Sequence, residues 1–327
     1  MRDIGIDLGT ANVLIYAKGE GVVLNEPTVV AIDLDSKQVL AVGKEANQML
    51  GRTPGKLKTI KPLRDGVIAD FEYTEIMLQE FISRVKGKTI FSKPRIIICC
   101  PSNITSVEKN AIREAAERIG AKKVFIEEEP KVAAIGAGLD ISKPTGNMVI
   151  DIGGGTTDIA ILSLGGIVNS SSIKVAGNAF DLAIIEYVRN KYKLLIGEKT
   201  SEEIKLTVGC VYDSDKNKKI EIKGRDLSTG LPSMIEISEK EIEESLRPLV
   251  QEIIKVAKNV LEKTPPELSA DIIDKGIVIT GGGSLIKGLS KLLEEELKVP
   301  VNIAENPLTC VAEGCGIMLE NLHLIDK

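Results

Sequence analysis

The sequence predicts an α/β fold built twice, with two halves facing each other across a cleft. Three observations lead there. The segment Ile4-Gly5-Ile6-Asp7-Leu8-Gly9-Thr10-Ala11-Asn12-Val13-Leu14-Ile15 and the segment Val149-Ile150-Asp151-Ile152-Gly153-Gly154-Gly155-Thr156-Thr157-Asp158-Ile159-Ala160-Ile161 share one grammar, an apolar strand ending in Asp-apolar-Gly, a small-residue turn and a second apolar strand. Strand and helix signals alternate between the copies, the pattern of layered α/β structure. Polar, lysine-rich stretches, Asp33 to Lys61 and Thr200 to Gly230, interrupt each copy and read as outer insertions. The predicted division is residues 1–140 with 306–327 as the first half, its insertion at about 33–70, and residues 141–305 as the second, its insertion at about 180–240.

Each element follows from local chemistry. After the first hairpin, Arg95 to Cys100 reads as a buried strand, and Thr105-Ser106-Val107-Glu108 is a capping box opening a helix whose apolar face is Ala111, Ile112, Ala115, Ala116 and Ile119, stopped by Gly120. Lys123 to Glu127 is a further strand. Pro130 suits the first turn of a helix to about Gly138, which puts Glu129 at a strand-to-helix junction just before the second hairpin. Beyond that hairpin, Ser238-Glu239-Lys240-Glu241 caps a long amphipathic helix, kinked at Pro248 and ended by Thr264-Pro265-Pro266. Gly276 to Thr280 is a strand, Gly281-Gly282-Gly283 a turn, and Ser284 the cap of a helix to about Leu297. A last helix runs near Thr309 to Leu322.

Composition narrows the chemistry. The 327 residues, 43% hydrophobic and 27% charged, suit a globular protein with a sizeable core. A net charge of −5 with no Trp, five Tyr and five Phe argues against a nucleic-acid partner. No apolar run approaches the ~20 residues of a membrane span and no signal-peptide core follows Met1, so a cytoplasmic protein is expected. Cys99, Cys100, Cys210, Cys310 and Cys315 form no CxxC pair, and His323 is the single histidine. Buried thiols fit these cysteines better than a zinc site, and a Ser-His-Asp triad has no histidine to use.

The glycine turns carry the function. Exposed backbone N–H groups at Gly9-Thr10-Ala11-Asn12, Gly153-Gly154-Gly155-Thr156-Thr157 and Gly281-Gly282-Gly283-Ser284 form anion-binding concavities, and three together imply a polyphosphate. A lone glycine cluster would be read as an ordinary turn. Asp7 and Asp151 beside phosphates would repel them without a cation, and Mg²⁺ with retained waters meets that need. Transfer of a phosphoryl group to water requires a group that orients the water, and Glu129 and the Thr156 hydroxyl are the candidates. A solvated acidic edge at Glu127 to Glu129 and a turn-stabilising role for Thr156 are the structural alternatives. Neither a GxxxxGK[ST] loop nor a GxGxxG unit is present.

These residues resemble the superfamily of actins, heat-shock chaperone ATPases and sugar kinases, with its two phosphate motifs, connecting helix and adenosine motif. The resemblance is closer to the MreB family of bacterial actins. It rests on Ile4 to Asn12, Asn25-Glu26-Pro27, Asp65 to Phe71, Glu128-Glu129-Pro130 with Ala133 to Gly138, Asp151 to Thr157, Gly224-Arg225-Asp226 with Gly230-Leu231-Pro232, and Thr280 to Gly283, and it covers essentially the whole chain. Cys99-Cys100-Pro101, Glu129 to Val132, and Asp158 where many MreB proteins carry Glu, look most like the Mbl branch. The resemblance implies an actin-like, ribonuclease H-like ATPase fold and slow ATP hydrolysis with Mg²⁺. It further implies filaments of this chain on the inner face of the cell membrane that organise peptidoglycan synthesis and rod shape, with MreC, MreD and RodZ as partners. A small-molecule kinase or a chaperone-type ATPase is the alternative within the superfamily. From Ser83 to Arg95 the chain has five basic residues and no acidic one around Ile90 and Phe91. That pair suits either the core or a membrane-touching loop, and the resemblance favours the membrane.

Overall fold

The computed structural model describes residues 3–85, 93–102 and 104–321. The first half opens with β1 (Ile4–Leu8), β2 (Asn12–Ala17) and β3 (Gly21–Pro27), followed by β4 (Val30–Asp33), β5 (Val39–Val42), α1 (Lys44–Met49), β6 (Leu57–Ile60), β7 (Leu63–Arg64), β8 (Val67–Ile68) and α2 (Phe71–Val85). It closes with β9 (Arg95–Cys100), α3 (Ser106–Arg118), β10 (Lys123–Glu128) and α4 (Glu129–Gly136). The second half holds β11 (Asn147–Ile152), β12 (Thr157–Ser163), β13 (Gly166–Ile173), α5 (Gly177–Tyr192), β14 (Leu194–Leu195), α6 (Glu198–Val208), β15 (Lys219–Asp226), β16 (Pro232–Ser238) and α7 (Glu239–Glu262). It closes with α8 (Pro266–Lys275), β17 (Ile277–Thr280), a 3₁₀ turn at Gly282–Leu285, α9 (Leu289–Leu297) and β18 (Val301–Ile303), and α10 (Cys310–Glu320) follows.

The duplication is visible in the hydrogen bonding. One five-stranded sheet has the order β10-β9-β1-β2-β3 and the other β18-β17-β11-β12-β13, each an antiparallel hairpin meander joined to two parallel strands. The inner parallel strands β9 and β17 are largely apolar runs, as strands covered on both faces must be, whereas the outer β10 carries Lys123, Glu127 and Glu128. The capping boxes at Thr105 and Ser238 both form, and each box glutamate also receives its cap residue's backbone N–H. α7 runs unbroken past Pro248.

Two helices lie between the sheets. α4, which follows the first sheet, packs chiefly on β11 and β12, whereas α10, which follows the second, packs on β1, β2 and β9. Ile97 and Cys99 of one sheet, Val149 and Ala160 of the other, and Val132, Ala133 and Cys315 of the two helices form a single buried cluster. The helices cross at glycines: a Cβ on Gly136 would strike the Cys310 carbonyl and one on Gly314 the Val132 carbonyl. All five cysteines are buried free thiols, and the Sγ atoms of Cys99 and Cys315 lie 3.0 Å apart.

Both insertions join the core of their half. The sheet β5-β4-β6 sends Val30, Ile32 and Val42 into the core of the first half and has a further small cluster of its own, Val29, Ala31, Ala41 and Ala46. The sheet β14-β15-β16 sends Ile222 and Ile237 into the main core of the second half, which α5 also enters through Phe180, Ile184 and Val188. The expected helix start at Ser284 is corrected. Ser284 sits inside the 3₁₀ turn, and α9 begins at Leu289 after Gly288 takes a left-handed conformation that breaks the helix path. No helix among the described residues is long and apolar enough to cross a membrane. Ile90 and Phe91 lie outside the described residues.

Candidate functional site

The two glycine hairpins meet tip to tip. A Cβ on Gly154 would come within 2.5 Å of the Ala11 Cβ, and one on Gly155 within 2.5 Å of Thr10 Oγ1, so only glycine allows this approach. The Gly9 carbonyl accepts from Thr28 Oγ1 at 2.7 Å, and Thr10 Oγ1 accepts from the Gly66 N–H at 3.1 Å. In the second hairpin, the Gly153 and Gly154 carbonyls accept N–H groups of Gly177 and Asn178 at the start of α5. Because a trans peptide sets its C=O and N–H opposite one another, the N–H groups of Gly154 and Gly155 are turned away from α5. The third turn enters beside them. Gly281 has φ +78°, and a Cβ there would crowd the Ile152 carbonyl and Asp151 Oδ1.

A cavity of about 550 Å³ opens between these turns. Asp7, Glu129, Asp151, Thr156 and glycines 9, 153, 154, 155, 281, 282 and 283 line it together with Thr10, Ala11 and Asn12. Two expected residues do not line it. Thr157 is fully buried and donates to the Val175 carbonyl at 2.6 Å, so its hydroxyl braces the hairpin. Ser284 is also fully buried and donates to the Gly281 carbonyl at 2.7 Å, shaping the third turn from behind.

The far end of the cavity was not foreseen in the sequence. Glu202, Lys205 and Leu206 of α6 and Leu285, Ile286 and Lys287 of the third turn form it, with Leu308. Lys205 is held by Asp181 Oδ2 at 2.8 Å and the Gly177 carbonyl at 3.2 Å. The available signal was the amphipathic spacing of Ser201, Ile204 and Val208, which leaves the other face of α6 to the cavity.

Electrostatics single out the near end. Burial pushes the Asp7 carboxyl up to about 7. Glu129 is raised well above the usual range by burial and then by the charges of Asp151, Asp158 and Asp7, and Asp151 is raised in the same way by burial, Asp158 and Asp7. Asp151 faces Asp158 directly across the β11–β12 pair, where like charges repel. Asp158 accepts the Ser102 N–H at 3.2 Å and a hydrogen bond from Thr156, but Asp151 Oδ2 is buried with no hydrogen-bond partner among the described residues. An orphaned carboxylate oxygen in an acidic cluster fits a hard cation. No group of three or more His, Cys, Asp or Glu side chains among the described residues can enclose a metal, so a divalent ion here would be completed by water and phosphate oxygens, the coordination Mg²⁺ favours.

The MreB/Mbl protein family model matches residues 1–327. The chain belongs to the MreB/Mbl family. It is 64% identical over 326 residues to the cell shape-determining protein Mbl of Bacillus cereus, covering 100% of this chain and 98% of that protein. It is 51% identical over 328 residues to the cell shape-determining protein MreB of Escherichia coli K12, covering 99% and 94%. MreB 5 of Spiroplasma citri bound to AMPPNP superposes with a TM-score of 0.94 at 43% identity, covering 99% of this chain and 97% of that one. The MamK double helical filament, at 22% identity and a TM-score of 0.82, shares the fold. Within the MreB/Mbl family the duplicated sheets and crossed helices are the actin-like architecture, and the chain is a bacterial actin of the cell-shape type.

Proposed function

We propose that this bacterial actin binds Mg²⁺–ATP between its halves, hydrolyses it slowly, and uses the bound state to set filament assembly. The observation that carries the reading is the cavity in which three glycine turns converge on Asp7, Asp151 and Glu129. The relative from Spiroplasma citri has been solved with AMPPNP and with ADP, which supports a nucleotide in the equivalent place. Asp7 and Asp151 would hold the ion through its waters, and Mg²⁺ when bound supplies the positive charge that lets phosphates approach these carboxylates. The turn amides cradle the phosphate oxygens. Glu129, fixed at the first position of α4 by Pro130, orients the attacking water, with the Thr156 hydroxyl beside it.

The division of the chain at about residues 140 and 306 gives the two bodies that the nucleotide would bridge. By family resemblance the filament lies on the inner face of the cytoplasmic membrane, contacts it through Ile90 and Phe91, and works with MreC, MreD and RodZ in peptidoglycan synthesis. Sedimentation with Mg²⁺–ATP, with phosphate release followed in the same samples, tests the central claim. Pelleting with slow phosphate release is expected, and phosphorylation of a sugar in place of hydrolysis would replace the reading with that of a small-molecule kinase.

A further inference from the structure

We propose that Lys61 and Glu198 form a latch across the mouth of the cleft that sets how long a nucleotide stays bound; the inference rests on the nucleotide reading of the larger cavity. Lys61 follows β6 in the first half and Glu198 begins α6 in the second, 137 positions apart, yet Lys61 Nζ lies 2.7 Å from Glu198 Oε2. Both side chains line a second cavity of about 400 Å³, which shares Thr10, Ala11, Asn12 and Glu202 with the larger one. The two cavities therefore meet at the hairpin tips, with the ion pair at the outer side.

Helix α6 connects the latch to the ligand. Glu198 stands in its first turn on the outer cavity, Glu202 one turn on reaches both cavities, and Lys205 and Leu206 line the larger one. The ion pair of Lys205 with Asp181 fastens α6 to α5, so the helix belongs to the second half as a rigid part. Lys61 is a grip of the first half on that part. When the pair opens, the outer units are free to separate and the mouth widens. Glu198 is also favoured where it stands by the positive end of the helix.

An exposed pair of this kind contributes up to about 1 kcal/mol, which is about a fivefold change in an opening equilibrium, and salt screens it. The test uses the full chain. Because all five native cysteines are buried, labels can be placed on Lys58→Cys and Glu203→Cys, exposed positions of the two outer units. Electron–electron distance measurements on nucleotide-free protein should broaden and lengthen with Lys61→Glu and recover in the swap Lys61→Glu/Glu198→Lys. In unlabelled protein, release of a fluorescent ATP analogue should quicken about fivefold in Lys61→Glu and return toward the parent rate in the swap. Distances unchanged by Lys61→Glu, or not recovered in the swap, would overturn the latch. A parent that binds no ATP analogue would instead overturn the nucleotide reading, while the distances still decide whether the latch exists.

Discussion

At the scale of single residues, the acidic cluster makes separable demands. Glu129 lines the cavity, and the role proposed for it is to orient water, so Glu129→Ala should leave nucleotide affinity nearly unchanged and slow turnover on the order of 10²-fold, read by phosphate release against calorimetry. Asp7→Ala should show the reverse, with weaker binding of Mg²⁺–ATP in calorimetry. A different carboxylate contributes to acid stability. Burial alone would raise Glu241, but hydrogen bonds from Lys191, Tyr192 and Ser238 outweigh it and hold the carboxyl down at about 2, against an ordinary 4.5. Its stabilisation is therefore present above pH 4.5 and lost as pH falls toward 2. Glu241→Gln keeps the capping box and removes the charge, since Gln also serves at that position. In urea titrations the parent should exceed the variant by about 1–2 kcal/mol near pH 6, a gap that closes between pH 4.5 and 2.

Elements packed backbone to backbone tolerate little change. At the α4–α10 crossing, Gly136→Ala or Gly314→Ala places a methyl against a carbonyl of the facing helix, and each should cost about 1–3 kcal/mol or more in thermal unfolding. Gly55→Ala, with open space around it, should be nearly silent. The helices and hairpins themselves were legible because their signals are local: Thr105 with Glu108, Ser238 with Glu241, Pro130 after a strand, and Asp-apolar-Gly at each hairpin. Ser284 misled because the helix start depends on Gly288, whose left-handed turn is pressed against Tyr212, a neighbour far away in sequence. For the same reason Asp7 and Asp151 could be read from the repeated hairpins and Glu129 from the junction before Pro130, whereas Lys205, Leu206 and Lys287 could not be read at all. They share no motif and are brought together only when α6 docks beside the third turn.

For the whole molecule, the expected behaviour is coupling between ligand and assembly. A nucleotide touching both hairpins favours one relative orientation of the halves, and a filament contact that spans both would select it. Critical concentrations should differ among ATP, ADP and nucleotide-free samples in sedimentation; equal values would refute the coupling. On anionic vesicles, Ile90→Ser/Phe91→Ser should float less than the parent under assembling conditions, because many weak anchors along a filament act together. The exchange of α4 and α10 between the sheets also bears on synthesis. The sheet made first has one face completed by Cys315 and Leu319 of α10, the last helix among the described residues, with Gly5 shaped to receive Cys315. A nascent chain halted before residue 310 holds that face bare, however well its strands have paired. Ribosome-stalled chains of increasing length should therefore remain open to protease in residues 3–100 until α10 has cleared the exit tunnel, and resistance should then appear in a single step.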